Sequence, residues 1–280
     1  MNMDKPCAWV TLLTQPGYLP GVLALARSLK RQDSIAPLVV MVTPNIEPDL
    51  HHQLTQAGCL IHPVNAIGPD PSLAQSYANA RFAEVWAKLA VWQLEEYRQL
   101  VFLDADMLVI RNMDELLTME LPDNGRGIAA CHACRCNPRQ LAEYPADWRP
   151  QNCYYSYCDS PEMVASPAPP FENYLNGGLL VLQPGRDVYQ DMMVQLAKVR
   201  DLSAYVFAEQ DFLNHYFRGR WQPLHYGYNA LKTLAHQHPK MWDLTRVKNL
   251  HFILDKPWEQ RPQPSHPCYP LHQLWWQVIE

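Results

Sequence analysis

The sequence predicts an α/β fold: a Rossmann-like, mostly parallel central sheet flanked by helices, in a single domain. Three observations predict it. Short apolar runs alternate with stretches whose apolar residues recur at helical spacing, which is the rhythm of parallel sheets. The run Leu100-Val101-Phe102-Leu103 is apolar at every position, as a strand buried on both faces must be. It ends at Asp104-Ala105-Asp106, two carboxylates at the strand end where open α/β sheets collect their ligands.

In chain order, Ala8 to Leu13 predicts the first strand, and Leu19, Val22, Leu23, Ala26 and Leu29 predict a helix opened by Pro20. The loop between them, Thr14 to Tyr18, falls where a base or ribose rests in such folds. Leu38 to Val42 is a second strand, a helix runs through Leu50 and Leu54, and Leu60-Ile61 opens a third strand. From Arg81 to Glu96, Phe82, Val85, Leu89 and Trp92 step by three, four and three, so an amphipathic helix carrying Lys88 is expected to lead into the key strand. A short capped helix over 112–117 and a strand over 127–131 follow. Regularity then stops over 132–173, a stretch rich in proline, tyrosine and cysteine. It returns at Asn176-Gly177-Gly178, where glycine admits close backbone approach before an apolar strand. A helix through Tyr189, Met193, Leu196 and Val199, an acid- and amide-rich helix opening at Glu209-Gln210-Asp211, and a strand over 247–252 carrying His251 complete the pattern. Beyond Pro262, Leu274, Trp275 and Trp276 predict a tail packed back onto the domain.

At 280 residues and 48% apolar the chain can bury a substantial core, while a net charge of −5 without a basic block argues against nucleic acid as a partner. No run reaches the roughly 18 apolar residues of a membrane span, and Met1 to Pro6 has no signal-peptide core, so a cytoplasmic location is expected. An Asp-x-Asp pair at a buried strand end can hold a hard divalent cation, and that cation can neutralise a diphosphate. No glycine-rich basic loop follows the first strand, which argues against a nucleotidyltransferase.

Five landmarks in this order resemble glycosyltransferase family 8, whose branches include galactinol-synthase-like and glycogenin-like proteins. They are Val10 to Thr14 with Tyr18, Phe102 to Asp106, Asn176-Gly177-Gly178, Ala208 to Asn214, and His251-Phe252 with Lys256-Pro257-Trp258. The resemblance implies a GT-A fold over 1–262 with an irregular insert at 132–173, followed by the tail at 263–280. It also implies retaining transfer of glucose or galactose from a UDP-sugar, with Mn2+ or another divalent cation. By position, Asp104, Asp106 and His251 match the metal ligands. Leu12, Thr14, Gln15 and Tyr18 match the uracil and ribose positions. Arg81, Lys88, Ala105, Asn176 and Gly177 belong with the donor-binding set, and Gln210, Glu209 and Lys256 with the catalytic one. Leu254 and Asp255 depart from the family, in which a glycine is frequent after the histidine. The acceptor is expected to be a hydroxyl of a small polyol, a sugar or a protein, in the galactinol-synthase-like branch. Self-glucosylation, a non-catalytic UDP-sugar-binding role and a homodimer remain open.

Five of eight cysteines lie between Cys131 and Cys158. The spacing Cys-x-x-Cys-x-Cys followed by Cys-x4-Cys, with His132 beside it, allows a structural zinc without matching a standard finger, and free buried thiols are the favoured expectation.

Overall fold

A computed structural model describes residues 5–76, 84–159, 173–261 and 263–280. Its strands are β1 (Cys7–Leu13), β2 (Leu38–Val42), β3 (Leu60–Pro63), β4 (Gln99–Leu103), β5 (Met107–Val109), β6 (Ile128–His132), β7 (Leu175–Leu182), β8 (Trp221–Pro223), β9 (Ala230–Leu231) and β10 (Asn249–His251). Its α-helices are α1 (Leu19–Arg31), α2 (Pro48–Gln56), α3 (Tyr154–Asp159), α4 (Arg186–Leu196), α5 (Glu209–Tyr216), α6 (Leu234–Gln237) and α7 (Tyr269–Ile279).

Among the described residues, seven strands form the main sheet in the order β3-β2-β1-β4-β7-β6-β8. β3, β2, β1 and β4 are parallel, β7 runs antiparallel between β4 and β6, and β8 is parallel to β6. The connections reverse direction between β1 and β4. A crevice therefore opens at their carboxyl ends, the switch point where such sheets bind ligands.

Period-two alternation divides the apolar side chains between two layers. Val10, Phe102 and Leu180 face a core built with Trp86, Trp92, Phe212 and Phe217. Trp9, Val101, Leu103 and Val181 face α1 through Val22, Leu25 and Leu29. Phe102 is wholly buried, and truncating such a residue to alanine costs about 3–5 kcal/mol.

A second, three-stranded sheet in the order β5-β10-β9, absent from the sequence reading, forms a third core with Phe252, Leu271 and Trp275. The expected tail is α7, which packs there and against α1. α3, inside the stretch expected to be irregular, and β8, β9 and α6 are not predicted by the sequence either; each is too short to show a period.

The expected amphipathic helix over 81–96 is corrected. Its start, with Arg81, lies outside the described residues, and Val85–Gln93 is a 3₁₀ helix buried from Trp86 through Trp92. Val-Trp-Ala-Lys-Leu-Ala-Val-Trp is apolar on all sides, and such a segment goes inside rather than lying on a surface. Lys88 is therefore interior. The cysteine insert is not featureless either, since Cys134, Cys136 and Cys153 converge on His238, whereas Cys131, Cys158 and His132 stand outside that cluster.

Candidate active site

The Asp104-Ala105-Asp106 turn is tied to both sheets. Asp104 N donates to Gly178 O of β7 at 2.8 Å, and Phe252 N, just past β10, donates to Asp106 O at 2.9 Å. The β5–β10 register sets His251 opposite Met107, one residue beyond Asp106. His251 Nε2 consequently lies 3.1 Å from Asp106 Oδ1 and 3.8 Å from Asp104 Oδ2.

One nitrogen and two carboxylates, all within 4.8 Å of one another, suit a single divalent ion. The ring is already oriented for it. His251 Nδ1 meets Asn229 Oδ1 at 2.8 Å, and Asn229 Nδ2 donates to Asn176 Oδ1 at 2.8 Å. That carbonyl partner assigns the proton to Nδ1 and leaves the Nε2 lone pair facing the carboxylates. Nothing larger than glycine fits at Gly178, because a Cβ there would lie 2.6 Å from the His251 ring and 3.0 Å from Asp104. Gly21 likewise admits α1 to within contact of the turn, its Cβ position being 2.3 Å from Ala105 O.

Two lysines flank the carboxylates. Lys256 pairs with Asp106, donates to Phe252 O at 3.0 Å and lies 5.6 Å from the Tyr18 ring centroid. Burial opposes the charge on Asp106, but the Lys256 ammonium outweighs it and holds its pKa below the carboxylate range. Lys88 Nζ reaches Glu209 Oε1 at 2.7 Å, Gly177 O at 3.0 Å and Asp104 Oδ1 at 3.1 Å. Burial works against its ammonium as well, yet Asp104 and Glu209 raise its pKa above the ordinary lysine value. For Glu209, burial raises the carboxyl pKa against the opposing pull of Lys88.

Glu209 and Gln210 are aimed by the turn entering α5, where Ala208, fully buried, adopts φ 45° and ψ −114°. An L-residue pays steric strain there, a cost seen where surrounding packing must present a functional group. The Gln210 amide is clamped at both ends: Oε1 accepts from Gly177 N at 3.0 Å, and Nε2 donates to Tyr174 Oη at 3.1 Å. Asn214 pins α5 to β7 through Leu175 N and O at 2.7 and 2.9 Å.

These groups share one cavity of about 430 Å3, whose lining includes Leu12, Thr14, Gln15, Tyr18, Lys88, Asp104, Ala105, Asp106, Asn176, Gly177, Glu209, Gln210, His251 and Lys256. Every sequence-predicted site residue that the structure describes is thus brought together. Missed were Asn229, whose distance in sequence from His251 hides its role, and part of the cavity wall. Tyr144 and Trp148 pack on Phe207, with ring centroids at 4.9 and 4.3 Å, and line the cleft with Asn137, Pro138 and Leu141. The aromatic residues of the insert were the one available signal.

A parallel-sheet crevice with an Asp-x-Asp turn, a histidine and flanking lysines defines a glycosyltransferase of the GT-A type, using a nucleotide-sugar donor, a divalent cation and a hydroxyl acceptor. Residues 9–261 match the sequence profile described as Glycosyl transferase family 8. The chain belongs to that family and is a retaining hexosyltransferase.

It is 32% identical over 282 residues to galactinol synthase 1 of Solanum lycopersicum, covering 97% of this chain and 81% of the relative. It is 31% identical over 286 residues to galactinol synthase 2 of Arabidopsis thaliana, covering 97% and 80%. Among solved structures, the galactosyltransferase LgtC in complex with donor and acceptor sugar analogs superposes with a TM-score of 0.62 at 16% identity, covering 98% of this chain and 96% of that one. GlyE of Streptococcus pneumoniae TIGR4 gives 0.60 at 17% identity, covering 98% and 60%. These two show the shared fold. No helix among the described residues is long and apolar enough to cross a membrane.

Proposed function

We propose that the protein transfers a galactosyl group from UDP-galactose to a hydroxyl of a small polyol, with manganese as its cation and UDP-glucose as the alternative donor. The observation that carries this reading is the Asp104–Asp106–His251 donor set opening onto the same cavity as Gln210. The galactinol synthases that match nearly the whole chain support the choice of branch.

A divalent cation held by the three ligands would neutralise the diphosphate and favour its departure. Lys256 adds positive charge at the phosphate end. Each charge–charge contact of this kind is worth about 4 kcal/mol at ~4 Å and an effective dielectric of about 20, well above the roughly 1 kcal/mol of a neutral hydrogen bond. Leu12, Thr14, Gln15 and Tyr18 would line the uracil and ribose, and Asn176 and Gly177 the donor sugar.

The Glu209 carboxylate is turned toward Lys88, so it is poorly placed as a general base or nucleophile. Gln210, clamped beside the sugar position, would offer its amide oxygen to the electron-poor anomeric carbon. In the step itself, the bond from the anomeric carbon to the β-phosphate oxygen breaks with its electron pair on phosphate. The acceptor oxygen bonds to the same face, and its proton passes to that phosphate oxygen. Retention follows without a protein base. A cytosolic setting suits this chain, whose eight cysteines are unpaired.

The test is UDP release from UDP-galactose and UDP-glucose with manganese, with and without polyol acceptors, and proton NMR of the first-formed product. An α-linked polyol galactoside is expected, and EDTA should abolish turnover until manganese is restored. Asp106→Asn and His251→Ala should each remove activity from folded protein, and Gln210→Ala should slow transfer more than it weakens UDP binding. Wild-type turnover in both ligand variants would refute the metal assignment, and donor use without acceptor dependence would refute the polyol.

A further inference from the structure

We propose that the protein carries a second, structural metal site, in which Cys134, Cys136 and Cys153 as thiolates and His238 through Nε2 bind one Zn2+ that staples the insert to the fold. Its ligands are a separate group from those of the carboxylate site, although Cys134 also lines that cavity, and the argument holds whichever donor and acceptor the enzyme uses.

The geometry points to a single ion. Four ligand atoms lie within 4.8 Å of one another, and all four residues are buried, Cys153 and His238 to 1% exposure. A tetrahedral zinc with Zn–S of about 2.3 Å and Zn–N of about 2.0–2.1 Å requires S···S edges of about 3.8 Å and S···N edges of about 3.6 Å. The Cys134 and Cys153 sulfurs are 3.9 Å apart, and Nε2 of His238 is 3.4, 3.4 and 3.8 Å from the sulfurs of Cys134, Cys136 and Cys153.

Hydrogen bonding cannot account for this convergence. An imidazole Nε2 is either one donor or one acceptor, yet three sulfurs approach it at once. Soft thiolates with imidazole select zinc over the hard cations of the carboxylate site, and a four-residue shell with no open position is structural rather than catalytic. The spacing of the four atoms leaves room for one ion and not for an iron–sulfur cluster.

The ligands come from three places: the exit of β6, the residue before α3, and the turn after α6. Between Cys136 and Cys153 runs the loop that supplies Asn137, Pro138, Leu141, Tyr144 and Trp148 to the active-site cavity. That loop has little regular structure of its own, only a 3₁₀ turn at Pro150–Asn152. Closing it with a metal compensates for the missing helix or strand, as in small domains whose binding free energy for zinc becomes folding free energy. The neighbouring candidates are otherwise placed: Cys131 donates to His225 O at 3.3 Å, His132 stacks on Tyr154 with centroids 3.7 Å apart, and Cys158 is exposed and outside the cluster.

The experiment is elemental analysis of the full chain, purified without chelator and without immobilised-metal resin. About one zinc per chain is expected for a closed four-ligand site. Asp106→Asn should retain it, as should Cys268→Ser, whereas Cys136→Ser and His238→Ala should lose nearly all of it. In the wild type, a mercurial titrated against a chromophoric chelator should release the zinc as three thiols react. Cobalt exchanged into the site should show thiolate charge-transfer and tetrahedral d–d bands. Folded wild type with zinc well below one equivalent would overturn the proposal, as would a Cys134–Cys153 disulfide found by mass spectrometry. Loss of zinc in Asp106→Asn would instead assign the metal to the carboxylate site.

Discussion

His251 can act as a ligand only while its proton stays on Nδ1, and Asn229 is the residue that keeps it there. Asn229 touches neither carboxylate, so its effect should appear in metal affinity rather than in chemistry. Orienting partners of metal-bound histidines are worth about 10–100-fold in affinity. Asn229→Ala is therefore expected to raise the divalent-cation concentration for half-maximal activity by about that factor while recovering most of kcat at saturating metal. Metal titration of activity alongside thermal melting reads this. An unchanged titration curve would mean that the ring is oriented by something else. Leu254 makes a related point, because its φ of 67° is a conformation that glycine takes without strain, in keeping with the family's frequent glycine in that neighbourhood.

At the scale of elements, the 3₁₀ helix Val85–Gln93 matters because it delivers a charged side chain into the interior beneath β7 and α5. Lys88 there holds Glu209 and Asp104 together. Removing one member of a buried ion pair leaves an uncompensated charge and typically costs about 3–5 kcal/mol, whereas removing both charges costs far less. Lys88→Met should thus destabilise the protein by about that amount in urea titrations, and Lys88→Met combined with Glu209→Gln should recover a large part of it. A double variant no more stable than the single would show that packing, not charge, sets the loss.

The whole molecule is closed by α7, whose His272 packs against Phe252 and receives the Lys232 ammonium at 3.2 Å on Nε2. Burial, with help from Lys232 and His266, depresses its pKa from 6.5 to about 4. The folded state holds this imidazole neutral, so between pH 6.5 and about 4 the unfolded chain binds the extra proton. Stability from this group is complete above pH 6.5 and is lost as pH falls through that window. His272→Gln keeps an acceptor for Lys232 but does not titrate, and its melting temperature should fall less steeply over the same range. Parallel pH profiles for the two proteins would exclude His272 as a source of acid sensitivity.

The sequence by itself determined the sheet's main strands, the Asp-x-Asp turn at the end of β4 and the glycine and amide motifs of β7 and α5. Those signals are local: hydrophobic periodicity and strand-end position operate within a few residues. Tertiary structure alone decided what depends on register and on crossing between elements. The second sheet brings His251 beside Asp106, Asn229 reaches it from another strand connection, and His238 meets cysteines about a hundred residues away. It also decided the burial of Lys88. A segment apolar all round carries the same three-and-four spacing as an amphipathic one, and only the layers packed on both sides show which it is.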